Sequence, residues 1–377
     1  MNIGFEAKGR ERRRGRRSLR WLGVLMVLAG AAAACGGDDG GDSAATEGGS
    51  GTDEVAASAE GEPSGTLNLG YFPNVTHAPA VIGVEEGIFD EALGEAEINY
   101  STYNSGTEVG EAILSGAIDA SFIGPNPAIN AYAESDGAIR IVSGTTSGGA
   151  ALVVSEDIET PEDLAGTTLA SPSVGNTQDV ALRAWLADEG YETDVSGGGD
   201  VAISPQENAD TLAAFIDGGI DGAWVPEPWT TRLVNEGGGH VLVDEADLWP
   251  DGEFVTTHLI VRTDYIEEHP QNVRALIGGL LDAIDEANDD PETAQAATND
   301  GIEAITANRL EDATIQGAWE NLTFTPDPIA SSLQQSKDDA VAYVALEDVD
   351  LSGIYDLDIL NDLLAERGEA EVAGIDQ

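Results

Sequence analysis

The chain has 377 residues, with 16 Lys and Arg against 70 Asp and Glu, a formal charge of −54 and a single cysteine. One cysteine excludes an intrachain disulfide framework, and a charge of this sign excludes nucleic acid and anionic headgroups as partners of the folded part, since both require a cationic footprint. With 41 % hydrophobic and 23 % charged residues the composition is globular rather than disordered, and the length points to two domains or lobes.

The first 34 residues hold 8 of the 16 bases (Lys8, Arg10, Arg12, Arg13, Arg14, Arg16, Arg17, Arg20) but only the acids Glu6 and Glu11, so residues 35–377 carry 8 − 68 = −60. Concentrated salt shortens the Debye length to about 3 Å at 1 M and screens such self-repulsion, so a halophilic or salt-tolerant source is expected. The basic stretch, the 14 apolar residues 21–34 and Cys35 behind Ala32, Ala33 and Ala34 have the layout of a secretory signal, too short for the roughly 20 residues of a spanning helix. The Ala-Ala-Ala-Cys run resembles a lipobox, with alanine where an aliphatic residue is usual. Residues 1–34 are therefore expected to be a signal peptide and Cys35 the lipidated mature N-terminus. Arg16-Arg17 would suit a twin-arginine signal, although an arginine-rich stretch supplies such a pair by chance. Residues 35–64 contain almost nothing apolar and read as a flexible tether of about 30 Å.

From residue 65 the order of elements repeats. A strand at 66–70 opens into a Pro/Asn/Thr loop and a helix ending near Glu86-Gly87, and a strand at 167–171 opens into residues 172–177 and a helix ending near Glu189-Gly190. A second strand and helix follow in both halves, at 98–103 with a helix from Gly106, and at 201–204 with a helix from Asn208. Then residues 112–125 (AILSGAIDASFIGP) align without gaps on residues 214–227 (AFIDGGIDGAWVPE), 102 positions later. Each half is thus β-α-β-α-β, which builds a parallel sheet with right-handed crossovers. Residues 139–154 and 255–262 read as two crossover segments between lobes. The apolar positions Val273, Leu276, Ile277, Leu280, Leu281 and Ile284 mark a C-terminal helix starting at Pro270, and Ile329, Leu333, Val341 and Val344 suggest another apolar face. The expected organisation is lobe 1 from residues 65–150 and 255–377 and lobe 2 from residues 151–254.

A ligand of such a sheet lies beyond the carboxyl ends of the strands, here at residues 72–77, 104–107, 124–127, 171–177 and 225–229. These loops lack Arg and Lys but are rich in hydroxyls, amides and helix-opening turns, so an anion could be held by N–H and hydroxyl donors. A neutral ring could instead stack on Tyr71, Trp224 or Trp229. Glu227 would oppose an anion, so it faces solvent, serves as a structural hydrogen-bonding partner, or meets the amine of a zwitterion. Chemistry of other kinds lacks its residues: there is no G-x-x-x-x-G-K-[ST] loop, no G-x-S-x-G elbow and no H-E-x-x-H. The four histidines, His77, His240, His258 and His269, are well separated, and no metal or other cofactor is expected.

The ordered series Gly70-Tyr71-Phe72-Pro73-Asn74, Thr76-His77-Ala78-Pro79, Glu86-Gly87-Ile88-Phe89, Asn104-Ser105-Gly106, Gly124-Pro125-Asn126-Pro127 and Ser147-Gly148-Gly149 resembles the nitrate/sulfonate/bicarbonate/taurine family of ABC-importer binding proteins, over most of residues 65–290. The resemblance implies an α/β, two-lobed type II flytrap fold and a monomeric, non-enzymatic solute-binding lipoprotein, anchored outside the cytoplasm beside a permease with its separate ATPase. It carries a ligand-binding role onto Asn74, Thr76, His77, Ser105, Gly106, Thr107, Asn126, Ser173, Asn176 and the loop holding Trp224, Glu227 and Trp229, with Tyr71 as a further aromatic candidate. The ligand expected first is a small organic sulfonate of the taurine and alkanesulfonate class, with nitrate, bicarbonate or a thiamine-precursor pyrimidine as alternatives. A sensor presenting the closed form to a membrane receptor would use the same fold. Pyrimidine-synthesising enzymes of this fold hold pyridoxal on a lysine. Here Lys337, the one lysine after the signal, falls outside the cleft loops.

Overall fold

The computed structural model describes residues 61–375; the signal peptide, Cys35 and nearly all of the tether lie outside the described residues. In the first half β1 (Thr66–Tyr71), α1 (Ala78–Glu85), α2 (Ile88–Leu93), β2 (Glu97–Thr102), α3 (Gly106–Leu114), β3 (Ala120–Ile123) and α4 (Pro125–Glu134) follow in order. Strand β4 (Ile139–Gly148) completes this half, and β5 (Ala150–Val154) already belongs to the other sheet. The second half runs β6 (Thr168–Ser171), α5 (Thr177–Asp188), β7 (Ala202–Pro205), α6 (Asn208–Ile216), β8 (Gly222–Pro226), α7 (Trp229–Asn235) and β9 (His240–Asp244). Strand β10 (Val255–Arg262) returns to the first sheet. After it come α8 (Thr263–Glu268), α9 (Pro270–Asp289), α10 (Pro291–Thr306), α11 (Asp312–Glu320), β11 (Leu322–Phe324), α12 (Ala330–Tyr343) and α13 (Asp358–Arg367).

The sheet orders are β2-β1-β3-β10-β4-β11 and β7-β6-β8-β5-β9. In each, three parallel strands from the β-α-β-α-β unit meet an antiparallel strand that has just crossed from the other sheet, β10 beside β3 and β5 beside β8. The repeated Ile-Asp step has one job in both halves. Asp119 Oδ2 accepts from the Asn68 backbone N–H at 2.9 Å, and Asp221 Oδ2 accepts from that of Thr168 at 2.7 Å, so each aspartate ties the start of its strand to the start of the central strand.

Strand parity divides the cores, because successive side chains face opposite sides of a sheet. In β8, Ala223 and Val225 face α6 and α7, whereas Trp224 faces α5 with Leu182, Trp185 and Leu186. In the first sheet Leu67, Leu69 and Tyr71 pack under α1, α2 and α9, while Ile123, Ile141 and Ile260 pack on the α3–α4 side. The apolar stripe of α9 is buried as its spacing predicts. Helix α12 differs from expectation: its buried face is Ser332, Leu333, Ser336 and Ala340, with Val341 and Val344 only half-buried. The cause is a polar anchor, since Asn126 Nδ2 donates to the Ser336 carbonyl at 3.0 Å and seats this helix on α4.

The chain leaves the first sheet through Gly148 and Gly149, at φ +82° and +74°. Only glycine takes such values without strain, and there is no room for more: a Cβ on Gly149 would lie 2.2 Å from Leu322. Strand β11, not anticipated from the sequence, pairs with β4 at this crossover, with Leu322 opposite Gly148.

Candidate functional site

Two neighbouring cavities lie where the strand ends of the two lobes face each other. The inner one, of about 30 Å³, is lined by residues between 72 and 256, and the outer one, of about 470 Å³, lies beside it; Asn74, Asn104 and Asn208 line both. Helix starts converge on the inner cavity because each β-strand here feeds a helix whose first turn lies at the strand's carboxyl end. Gly124 caps α4, Asn176 caps α5, His77 precedes α1, and Asn208 opens α6. First-turn N–H groups have no partner within the helix, so they and the helix dipoles favour a negative or electron-rich ligand.

The side chains of the inner cavity are uncharged. The His77 ring stacks on Phe72 with centroids 4.5 Å apart and is 3 % exposed. Burial alone lowers its pKa to about 3, so the imidazole is neutral. Its Nδ1 lacks a hydrogen-bond partner, as do Thr177 Oγ1 and Asn208 Oδ1, and Ser173 Oγ and Gln206 Nε2 are in the same condition nearby. Unpaired buried polar atoms are uncommon in native proteins, and three of these belong to residues that line one cavity. Thr76 contributes through its backbone, with its carbonyl accepting from Thr257 Oγ1 at 2.9 Å.

Of the residues expected at the site, Asn74, Thr76, His77 and Asn176 come together at the inner cavity, and Trp229 joins Asn74 at the outer one. Trp229 Nε1 donates to Asn74 Oδ1 at 3.1 Å, a hydrogen bond from lobe to lobe. The other residues stand elsewhere. Trp224 is core: it packs on Trp185 with centroids 6.0 Å apart and donates from Nε1 to Glu245 Oε2 at 2.7 Å. Tyr71 is core too, edge-on to Tyr100, and burial pushes its hydroxyl up to about 12. Ser105 caps α3 by accepting from the Glu108 N–H, Thr107 is exposed, and Pro127 packs where a Gly106 side chain would be, 2.2 Å from an added Cβ. Asn126 is spent on α12, and Ser173 lines neither cavity.

Glu227 is fully buried and accepts from Thr231 N at 3.1 Å, Thr231 Oγ1 at 2.9 Å and Asn321 Nδ2 at 2.7 Å. It is therefore a structural partner, one of the three roles the sequence allowed. Desolvation raises its pKa, which these hydrogen bonds partly counter.

The sequence reading did not name Phe72, Asn104, Thr177, Gln178, Asn208 or Thr256 as ligand contacts, although all line the inner cavity. Asn208 was findable. The duplicated order makes residues 205–208 the counterpart of Asn104-Ser105-Gly106, and that sixth strand end belongs with the other five.

This frame, two α/β lobes joined by two crossing segments with a polar cleft at the strand ends, is the type II periplasmic-binding-protein fold. Residues 60–299 match the model of the NMT1-like family, and the chain belongs to that family. It is 29 % identical over 206 residues to the taurine-binding periplasmic protein of Escherichia coli, a match that takes in 54 % of this chain and 62 % of that protein, less than two thirds of its length. Among solved structures it is similar to the nitrate-binding protein NrtA of Synechocystis, with a TM-score of 0.67 at 16 % identity over 81 % of this chain and 90 % of that one. The alkanesulfonate-binding protein SsuA of Xanthomonas axonopodis bound to MOPS gives a TM-score of 0.64 at 19 % identity, over 79 % and 99 % of the two chains.

Proposed function

We propose that this chain is the solute-binding component of an ABC importer, exported and anchored through Cys35, and that it captures a small organic sulfonate or related anion between its lobes for delivery to a permease. The observation that carries the reading is the pair of unpartnered atoms His77 Nδ1 and Thr177 Oγ1, on residues that line the inner cavity from the two lobes. A hydroxyl, a neutral imidazole and helix-terminal N–H groups suit an oxyanion head that brings several acceptor oxygens and needs no counter-charge. The names of the taurine- and sulfonate-binding relatives support the same class. A head bonded to Thr177 on one lobe and His77 on the other gains more in the closed form, and only that difference shifts the balance. The small volume of the inner cavity, about 30 Å³, favours as a second reading a compact oxyanion such as nitrate or bicarbonate.

The test is thermal unfolding in molar potassium chloride with taurine, alkanesulfonates, nitrate, bicarbonate and thiamine pyrimidines. A true ligand at a hundredfold excess over Kd stabilises by about 2.7 kcal/mol. Thr177→Val keeps the shape, removes one unpaired hydroxyl and should weaken the ligand about tenfold, with unfolding of the free protein unchanged. A folded protein that answers to none of these compounds overturns the reading.

A further inference from the structure

We propose, resting on the reading of the cleft as a solute site, that the buried Asp179–Arg183 ion pair is a positioning element of that site. It touches no solute, but it fixes the loop that places Thr177 at the inner cavity. Neither residue lines the inner cavity or the outer one. Among the described residues this is the one ion pair with both side chains fully buried, and in every other both partners keep some exposure.

The carboxylate acts as a clamp. Asp179 Oδ1 accepts from Ser171 Oγ at 2.7 Å and Oδ2 accepts from the Gly175 N–H at 2.9 Å, so one side chain joins the last residue of β6 to the loop that follows it. The guanidinium holds both oxygens, with Nε 3.0 Å from Oδ2 and Nη2 3.2 Å from Oδ1. Gly175 takes φ +70°, Asn176 caps α5 and Thr177 opens it. Pro172, Asn176, Thr177 and Gln178 of this segment all line the inner cavity. Loss of the clamp frees the segment between two tied points, and Thr177 Oγ1 moves with it.

Stability alone explains the pair poorly. Desolvating two charges offsets their attraction, so an apolar pair of similar size is often as stable, and here Arg183 Nη1 has no hydrogen-bond partner at all. An apolar pair cannot reach Ser171 and Gly175 at once. Charge explains why the clamp needs its arginine. Asp179 stands in the first turn of α5, where a lone carboxylate would oppose an anion at the same helix start, and the guanidinium neutralises it. In lobe 1 the corresponding loop, residues 72–77, is held without charge by the stack of His77 on Phe72.

The experiment is titration calorimetry in molar potassium chloride with taurine, methanesulfonate, nitrate and bicarbonate, with the urea midpoint of each protein recorded. The variants are Asp179→Leu with Arg183→Met, the milder Ser171→Ala, Thr177→Val, and each of the first two combined with Thr177→Val. The double variant should unfold cooperatively yet bind about tenfold more weakly, and Ser171→Ala about threefold. Neither should add a further loss once Thr177 is valine, because the pair acts through that hydroxyl. Parental affinity in both overturns the positioning role and leaves the solute-binding reading intact. Losses that add to that of Thr177→Val overturn it as well. If the double variant does not fold, the Ser171→Ala cycle decides by the same two criteria. No binding of any of the four compounds by the cooperatively unfolding parent overturns both readings.

Discussion

Apart from the aspartate of the repeated Ile-Asp step, the two lobes bury different ionisable side chains within the same strand order. Lobe 1 buries the imidazoles His77 and His258, which desolvation lowers to about 3 and about 4, the latter partly offset by a hydrogen bond with the Pro328 carbonyl. Lobe 2 buries carboxyls. Asp179 is paired with a fully buried Arg183, and Glu227 and Glu245 are raised by desolvation, Glu245 to about 7. The difference teaches that a repeated frame does not imply a repeated response to pH. For the histidines the unfolded chain takes up protons near 6.5 and the folded one does not, so their contribution is present above that pH and lost as pH falls through 6.5 toward 4. For Glu245 the folded state holds its proton up to about 7 and the unfolded one only to about 4.5, so its contribution is present below 4.5 and lost as pH rises through 7.

The largest break in this contrast should come from Arg183→Met. Asp179 would keep its bonds from Ser171 Oγ and Gly175 N but lose the buried guanidinium 3.0 Å away, leaving an unpaired charge. A loss of about 3–5 kcal/mol is expected in the urea midpoint, and the double variant Asp179→Leu with Arg183→Met should lose less than the single one. Next, Glu245→Gln should stabilise the protein at pH 8 by on the order of 3 kcal/mol and remove the decline between pH 5 and 7. Thermal unfolding across pH would then keep the histidine limb below 6.5 while the Glu245 decline is gone. A Glu245→Gln profile identical to that of the parent would sink this assignment. The smallest effect concerns the contact between lobes. Gly124 in lobe 1 has φ −72°, open to any residue, yet a Cβ there would lie 2.7 Å from Thr177 Oγ1 of lobe 2. Gly124→Ala should either part the lobes or rotate that hydroxyl out of the cavity, weakening the ligand about tenfold, or 1.4 kcal/mol, with little change in free-protein stability by the same denaturation assay.

The frame was legible in the sequence because its signals are local. The Gly stop, the Ile-Asp step and the strand that follows sit within a dozen residues, and the 102-residue offset repeats a hydrogen bond that each aspartate makes to its own central strand. The site was legible only in part. Asn74, Thr76, His77 and Asn176 lie on loops whose position follows from the strand order. Tyr71 ends β1 and Trp224 lies within β8, but the face each takes depends on strand parity, and both turn into the core. The partner of Asn126 lies 210 residues away and one partner of Glu227, Asn321, lies 94 away, a tertiary choice that no local pattern records. The outer cavity is also lined by Ile302 and Thr306 of α10 and by residues 308–311 after it, which no local motif marks.

The bond between Glu227 and Asn321 bears on how the lobes can turn. It joins the residue following β8 of one lobe to the residue preceding β11 of the other, away from both cleft cavities, and it lies beside the Gly148–Gly149 crossing, where the Glu227 N–H donates to the Gly149 carbonyl at 2.8 Å. The Trp229–Asn74 bond spans the lobes within the cleft instead. The first marks a pivot, and the second is the contact that parting of the lobes must break.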